Sequence, residues 1–495
     1  MFTRKSSRTT IDAPVVGKVW RWEPTWCTGL RFLFGSQYII KEGYEKFKDT
    51  AFVARRLDAD FLILSNKYAD ELKSLPKSDL FAMDTLARSV GGEYTGFDQT
   101  MLTDIHVRAL QSMANRELTR CHEPLKDELD WAMQSYMPTE NDWKAINCRG
   151  LVRELSLALM ARVFVGPDLC RHYDWRSIGT GFTQDVIKVA YFLRLIPWMP
   201  RPLKWLILRL FPAWNSVQKH YAASRRLVRP LVEKYRQSDA QCNSIQDPPT
   251  VLKWMSLNSR TEYEADPDII AHRLVHLGFT ADFATLHSII FLLFDLCKHP
   301  EYIGDLREEA ENCLLESGCW NRSTLDNMKQ IESFMIESQR SSPILMVTFS
   351  RTVMKPLTLS DGLHLPKGTR LGMAAQNIMN DPAVTSEPDR FDPWRSLRER
   401  QKPGEESKHR FTTTSPNNLH FGHGTQACTG RYLAMTIEKM VVAAILVGWD
   451  IRFPKTHSQK TWLSLDDFLF PDFETEIELK RRPVKPGVPP IGISM

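Results

Sequence analysis

Apolar residues along the chain follow three spacings, and each predicts a different kind of element. From about Thr103 to Leu315 they recur at helical period, as in Leu151–Val165 and Leu227–Tyr235. Asp268 to Cys297 is apolar throughout and predicts one long buried helix, stopped at His299-Pro300. An amphipathic helix carrying Leu306-Arg307-Glu308-Glu309 follows. Residues 30–75 instead set short apolar runs, Tyr38-Ile39-Ile40, Phe52-Val53 and Phe61-Leu62-Ile63-Leu64, between turn residues. That pattern predicts a small sheet with a helix. Between Val347 and Met373 the period falls to two, with turns at Asp361-Gly362 and Pro366-Lys367-Gly368. A hairpin and a further strand are expected there. The stretches 237–250 and 398–415 read as polar loops, and Trp449 to Leu479 as a terminal β-region. The predicted fold class is mainly α (α+β): one helix-rich domain over 29–495, preceded by an N-terminal extension over 1–28.

Composition adds exclusions. Of 495 residues, 43% are hydrophobic and 25% charged, which is ordinary for a folded protein and excludes a disordered or fibrous chain. The net charge of +5 is too diffuse to argue for nucleic acid, though it suits an acidic partner or an anionic membrane surface. The 9 cysteines are scattered with no Cys-x-x-Cys pair, so neither a disulfide framework nor a zinc site is indicated. Residues 1–20 hold no apolar run long enough for a signal peptide or a membrane span. Residues 192–214 combine Trp198, Trp205 and Trp214 with Arg194, Arg201, Lys204 and Arg209. Four prolines there forbid a spanning helix, and the mixture suits a segment lying in the membrane interface or a pair of packed helices.

The segment with the most chemistry is Phe421-Gly422-His423-Gly424-Thr425-Gln426-Ala427-Cys428-Thr429-Gly430-Arg431. It places one cysteine where an apolar helix begins, after a loop whose glycines admit close backbone approach. A thiolate there gains from the helix N-terminus and can ligate haem iron; the alternative is a buried structural thiol. Glu337-Ser338-Gln339-Arg340 puts a carboxylate and a guanidinium on one helix face, and Pro388-Asp389-Arg390-Phe391-Asp392-Pro393-Trp394-Arg395 adds a later arginine. Gly422-x-Gly424-x-x-Ala427 is a poor dinucleotide fingerprint, with too little chain after it to build a βαβ unit.

The spacing of Phe421, Gly424, Cys428 and Gly430, with the E-x-x-R helix and the arginine segment in the same order, resembles the cytochrome P-450 family over about 270–450. The overall likeness is to fungal microsomal members of secondary metabolism, including ent-kaurene and indole-diterpene oxidases. The resemblance implies haem b held by Cys428, with Arg351 and Gln426 toward a propionate and Phe421, Gly424 and Gly430 shaping the loop. It implies a buried network of Glu337, Arg340 and Arg395. It implies monooxygenation of an apolar small molecule, plausibly a terpenoid or meroterpenoid, using O2 and electrons from NADPH through NADPH-cytochrome P-450 reductase. Lys408, Arg410, Arg431 and Lys439 would form part of a docking surface for that reductase. Phe279, Phe283, Ala284, Ile344 and Leu345 would line the pocket. The implied location is the cytosolic face of the endoplasmic reticulum, or the cytoplasm if the usual N-terminal anchor is lacking.

Departures accompany the likeness. Gln426 stands where Arg or His is usual and Thr429 where proline is common. Counting back from Pro300, the family's acid–alcohol pair falls on Phe283 and Ala284, with Asp282 and Thr285 each one residue away. A helix turns about 100° per residue, so Asp282 and Thr285 are the catalytic candidates but do not automatically face iron. That displacement leaves two other readings open: a haem-thiolate isomerase or dehydratase that needs no O2, and a non-catalytic haem-binding homologue.

Overall fold

The long apolar run forms a single helix of 32 residues, and the helical body is assembled round it. The fold is a computed structural model that describes residues 11–20, 22–240, 249–455 and 461–492. Part of the polar stretch 237–250 therefore lies outside the described residues. The helices that shape the site are α1 (Thr25–Phe47), α2 (Cys148–Phe164), α3 (Tyr173–Leu195), α4 (Arg201–Leu210), α5 (Pro212–Ala240), α6 (Pro267–Lys298), α7 (Ile303–Ser317), α8 (Lys329–Ser341) and α9 (Arg431–Gly448).

Helix α6 starts at a proline, with the Asp266 side chain accepting from Asp268 N at 2.8 Å, and stops at His299 before Pro300. Its mean hydropathy of 1.6 over 18 residues would let it cross a membrane, but 67% of that window is buried inside the fold. It packs against α2, α3, α5, α8 and α9. Leu274, Ile289, Ile290, Leu293 and Phe294 are fully buried. Each such side chain contributes about 1.5–3 kcal/mol of hydrophobic stabilisation.

Beside this body lies a six-stranded sheet. Its strands are β1 (Val15–Val16), β2 (Ala51–Arg55), β3 (Asp60–Leu64), β4 (Leu80–Phe81), β5 (Thr348–Val353) and β6 (Arg370–Met373), in the order β1-β2-β3-β6-β5-β4. Val15–Val16, within the expected extension, is an edge strand of this sheet. Leu62 pairs with Val53 on one side and Leu371 on the other. Between Thr348 and Arg351 the register of β5 against β6 shifts, and Phe349 there has φ of +54°. A bulge of this kind re-aims the side chains that follow, Arg351 first among them. The period-two segment at 357–365 closes as a small hairpin, Leu357 opposite Leu365. A second hairpin, β7 (Trp462–Leu465) and β8 (Phe468–Pro471), belongs to the terminal β-region.

One polar cluster inside the body corrects the expected docking surface. Lys439 is buried on α9, 3.1 Å from Glu332 of α8, and donates to Leu325 O at 2.8 Å. Arg410 also turns to Glu332, at 3.0 Å, and Arg431 donates to Thr412 O and Cys428 O. Lys408, paired with Glu405, stays at the surface. A helix following a surface loop looks amphipathic only locally; here α9 is enclosed on every side, so its lysine must find a carboxylate.

Burial alone would raise the Glu332 carboxyl, but Lys439, Arg410 and the Phe411 N–H hold it down at about 2. Its stabilising contribution is complete above the ordinary 4.5 and disappears as pH falls toward about 2. Glu332→Gln keeps the volume and strips Lys439 of its counter-charge. Urea unfolding at neutral pH should show a loss of about 3–5 kcal/mol, with a flatter acid limb than the wild type.

Candidate haem-binding site

The cysteine loop is held in place by main-chain contacts with residues 73–82. Thr425 N donates to Lys73 O at 3.0 Å. Gly424 has φ of +78°, and a Cβ there would stand 2.2 Å from the same carbonyl, so this position requires glycine. Cys428 N donates to Phe421 O at 2.8 Å, closing the loop ahead of α9. Phe421 packs its ring 5.4 Å from Phe411. Cys428 presents accessible surface, yet burial pushes its thiol up, against the Gly430 and Arg431 N–H groups and the Arg431 charge. Accessible surface deep among protein atoms means that the sulfur faces space within the fold rather than bulk solvent. Gly430 passes close to the sulfur: a Cβ there would stand 3.9 Å from Sγ.

Gln426 is placed differently from the role the resemblance gave it. Its Oε1 accepts from Ala82 N at 2.9 Å and its Nε2 donates to Leu80 O at 2.8 Å. One N–H and the oxygen of the amide fix the loop to β4. Arg351 is the contrasting case. It is buried; among the described residues its guanidinium donates to Ser350 O and Gln426 O and lies over the Phe349 ring, and burial pushes its pKa down to about 10. A cation buried against carbonyls alone is costly, and an anionic group brought in by a ligand would offset that cost.

A residue that sequence reasoning missed supplies a second polar group. His106, near the start of the helix Ile105–Ser112, is buried with neither ring nitrogen hydrogen-bonded among the described residues. Burial, with the Arg273 charge, pushes it down to about 4, so the ring is neutral. It lines a cavity of ≈ 740 Å³ with Lys77 and Phe81. Phe81 lies between Leu80 and Ala82, the two residues that Gln426 clamps. No sequence pattern marks His106; its unpaired state exists only in three dimensions. A thiol before a helix and a buried guanidinium bonded to main-chain carbonyls are groups that a haem's iron and a propionate would take.

Helix α6 sorts the other candidates by face. Ser288 donates to Glu438 of α9 at 2.8 Å, and Thr285, buried one turn earlier, lies on that side of α6. Ala284 is the exposed position between buried Asp282 and Thr285. Asp282 and Phe279 line a separate cavity of ≈ 30 Å³ with Thr183 of α3. Burial raises the Asp282 carboxyl to about 6 against the pull of Arg153, Thr183 and Arg149. Phe279 also meets Phe97 at 4.9 Å. Phe283 points elsewhere, its ring 5.5 Å from Phe468 and 5.8 Å from Phe470 of β8. Ile344 and Leu345 join the same hairpin: Leu469 N donates to Ile344 O at 2.9 Å, and Leu345 bridges to Phe468. The alternation Phe468-Leu469-Phe470 was the available signal for this aromatic wall.

The structure brings Glu337, Arg340 and Arg395 together. Glu337 accepts from Arg340 Nε at 2.9 Å and Nη2 at 2.7 Å, from Asp392 N at 2.9 Å and from Arg395 Nε at 3.3 Å. Arg395 also donates to Glu387 O and Arg390 O. A carboxylate forked between two guanidinium groups ties α8 to the segment 387–395 with defined geometry.

Comparison with known proteins finds relatives along most of the chain. A sequence model of the cytochrome P-450 family matches residues 182–479. A cytochrome P-450 monooxygenase of Emericella nidulans, AN1598, is 34% identical over 96% of this chain and 89% of its own length. The monooxygenase paxP of Penicillium paxilli is 33% identical over 98% and 93%. An ent-kaurene oxidase of Fusarium fujikuroi is 29% identical over 97% and 90%. Among solved structures, the retinoic acid-bound cyanobacterial CYP120A1 superposes with a TM-score of 0.69 at 16% identity, covering 96% of this chain and 100% of that one. With its helix-rich body, small sheets and cysteine loop before α9, the chain belongs to the cytochrome P-450 family, whose members are haem monooxygenases.

Proposed function

We propose that Cys428 is the thiolate ligand of haem b and that the chain oxidises a terpenoid or meroterpenoid, using O2 and electrons from NADPH through a separate reductase. The observation that carries the ligand assignment is the one thiol held at the head of α9 by Gly424, Thr425 and Gln426, facing space inside the fold. Similarity to ent-kaurene oxidases supports the substrate class, and relatives named as monooxygenases and oxidases favour oxygenation over an O2-independent isomerisation.

The bound haem supplies oxygen activation; the chain's residues bind, orient and manage protons. Arg351 neutralises one propionate. His106, with Lys77 at the cavity edge, is offered for the other, because Gln426 is already engaged. Phe283, Phe468, Phe470, Ile344 and Leu345 form the apolar wall against the substrate. Asp282, raised to about 6, holds a proton over part of the neutral range, and Thr285 Oγ1, one turn on, is the hydroxyl it serves.

An apolar surface suits attachment to the endoplasmic reticulum. Trp198, Leu206 and Leu210 are exposed on and before α4, and Trp26, Phe34 and Tyr38 on α1. Within 192–214 only Trp198 among the tryptophans is exposed: Trp205 packs 4.9 Å from Tyr94, and Trp214 donates to Tyr94 O at 2.9 Å. Residues 29–495 form the catalytic domain in this reading.

The carbon monoxide difference spectrum of the reduced protein should show the strongly red-shifted Soret band of thiolate ligation. Cys428→Ala should lose that band while keeping its far-ultraviolet circular dichroism; a retained band refutes the ligand assignment. Arg351→Gln should speed haem transfer to apomyoglobin by at least tenfold, about 1.4 kcal/mol of lost affinity. His106→Ala should do the same to a smaller degree. Exchanging Trp198, Leu206 and Leu210 for serine should release the protein from anionic liposomes in a flotation assay without altering its spectrum.

A further inference from the structure

Away from the haem region, three arginines and three aspartates form a buried, formally neutral cluster that joins four parts of the chain. Arg56, just after β2, donates to Asp466 at 2.6 Å and to Asp467 at 3.0 Å, and lies 3.6 Å from Asp58. Arg370 of β6 donates to Asp58 at 2.7 Å. Arg194, at the end of α3, donates to Asp466 and, at 2.9 Å, to Ser89 O. The two aspartates are the turn between β7 and β8, where Asp466 adopts φ of +56°. Their backbone is pinned as well: Asp466 N donates to Leu33 O at 2.8 Å, and Met346 N to Asp467 O at 2.9 Å.

Such a cluster is a poor source of stability, since desolvating six charges offsets most of their attraction. Its geometry does something more specific. The turn it grips carries β8, whose Phe468 and Phe470 touch Phe283 on α6 and whose backbone joins Leu345. Two guanidinium groups, Arg194 from a helix and Arg56 from the end of β2, therefore set the height of an aromatic wall, with Asp58 and Arg370 behind Arg56. The wall itself has only a short two-stranded hairpin behind it, and isolated hairpins of this kind are marginal.

We propose that Asp466 is a positioning residue: the Arg56–Asp466–Arg194 cluster fixes Phe468 over the substrate pocket and so determines which ligands the pocket accepts. The inference rests on the haem-thiolate reading for its pocket, but the grip on the hairpin stands apart from it.

Two azoles that ligate haem iron separate wall contacts from iron binding: imidazole, too small to reach the wall, and phenylimidazole, which extends into the pocket. The holoprotein carrying Asp466→Asn is compared with one carrying Asp466→Asn and Arg194→Met, which leaves fewer unpaired buried charges if the single variant folds poorly. Phenylimidazole affinity should fall about fivefold or more, the lower range of coupling between sites, with imidazole affinity unchanged. Adding Phe468→Ala to the double variant should cause no further loss, because both changes act through the same ring. Hydrogen exchange across 462–471 should quicken in both variants. Equal losses for both azoles, additive loss with Phe468→Ala, or unchanged exchange would overturn the proposal. Exchange needs no haem, so a wild-type protein lacking the thiolate band would sink the haem reading and leave exchange to decide the cluster's role.

Discussion

A main-chain clamp sets where the chemistry can occur. Lys73 O, Leu80 O and Ala82 N receive or give the bonds that hold Thr425 and Gln426, and Gly424 fits only because it has no Cβ. Everything else at the site is placed relative to that clamp. β4, once fixed to the loop, pairs Phe81 with Thr352, which puts Arg351 one residue away, its guanidinium against Gln426 O. Gln426 thus exchanges bonds with both neighbours of Phe81 and ties the loop that carries the thiol to β4. An amide suits that exchange, because it donates and accepts at once, whereas a guanidinium in its place could only donate.

Buried charge is distributed with the same economy. Glu337 and Glu332 each sit on α8, and each gathers cations from segments that come later in the chain. Breaking such a pair is far more damaging than its net worth suggests, because one ion is left alone in a medium that solvates it poorly. These clusters therefore act as registry devices. They locate 387–395, the 410 region and α9 against α8, while apolar packing around α6 supplies most of the stabilisation. Arg351 departs from the pattern: among the described residues it bonds to main-chain carbonyls and not to a carboxylate.

What could be read in the sequence follows the range over which each interaction acts. Helical period identified α6 and its stop at Pro300, short apolar runs between turn residues the early sheet, and period two the 357–365 hairpin, because those signals are local. The cysteine loop and Glu337-x-x-Arg340 were legible for the same reason. Lys439 was misjudged as a surface charge, since only packing against α8 reveals Glu332 as its partner. His106 could not be found at all: a histidine near a helix start is unremarkable until the cavity beside it exists. Trp205 and Trp214 looked like membrane anchors by composition, and Tyr94, over a hundred residues earlier, decides otherwise.

The displacement of the acid and alcohol positions on α6 takes its meaning from the partition of that helix. Phe283 occupies the position where an acid is usual, and its ring is committed to the β7–β8 hairpin. Asp282 lies against Thr183 and a small cavity, shielded from the hairpin side. Thr285 follows on the side that Ser288 shares with α9. Moving the polar pair outward by one residue in each direction therefore does not scatter it. Residues 282 and 285 remain one turn apart, and the two positions between them are released to aromatic and small side chains. An acid at 283 would have to lie among the rings of Phe468, Phe470 and His287. The hairpin wall and the placement of the acid are thus one constraint, imposed by a single face of one helix.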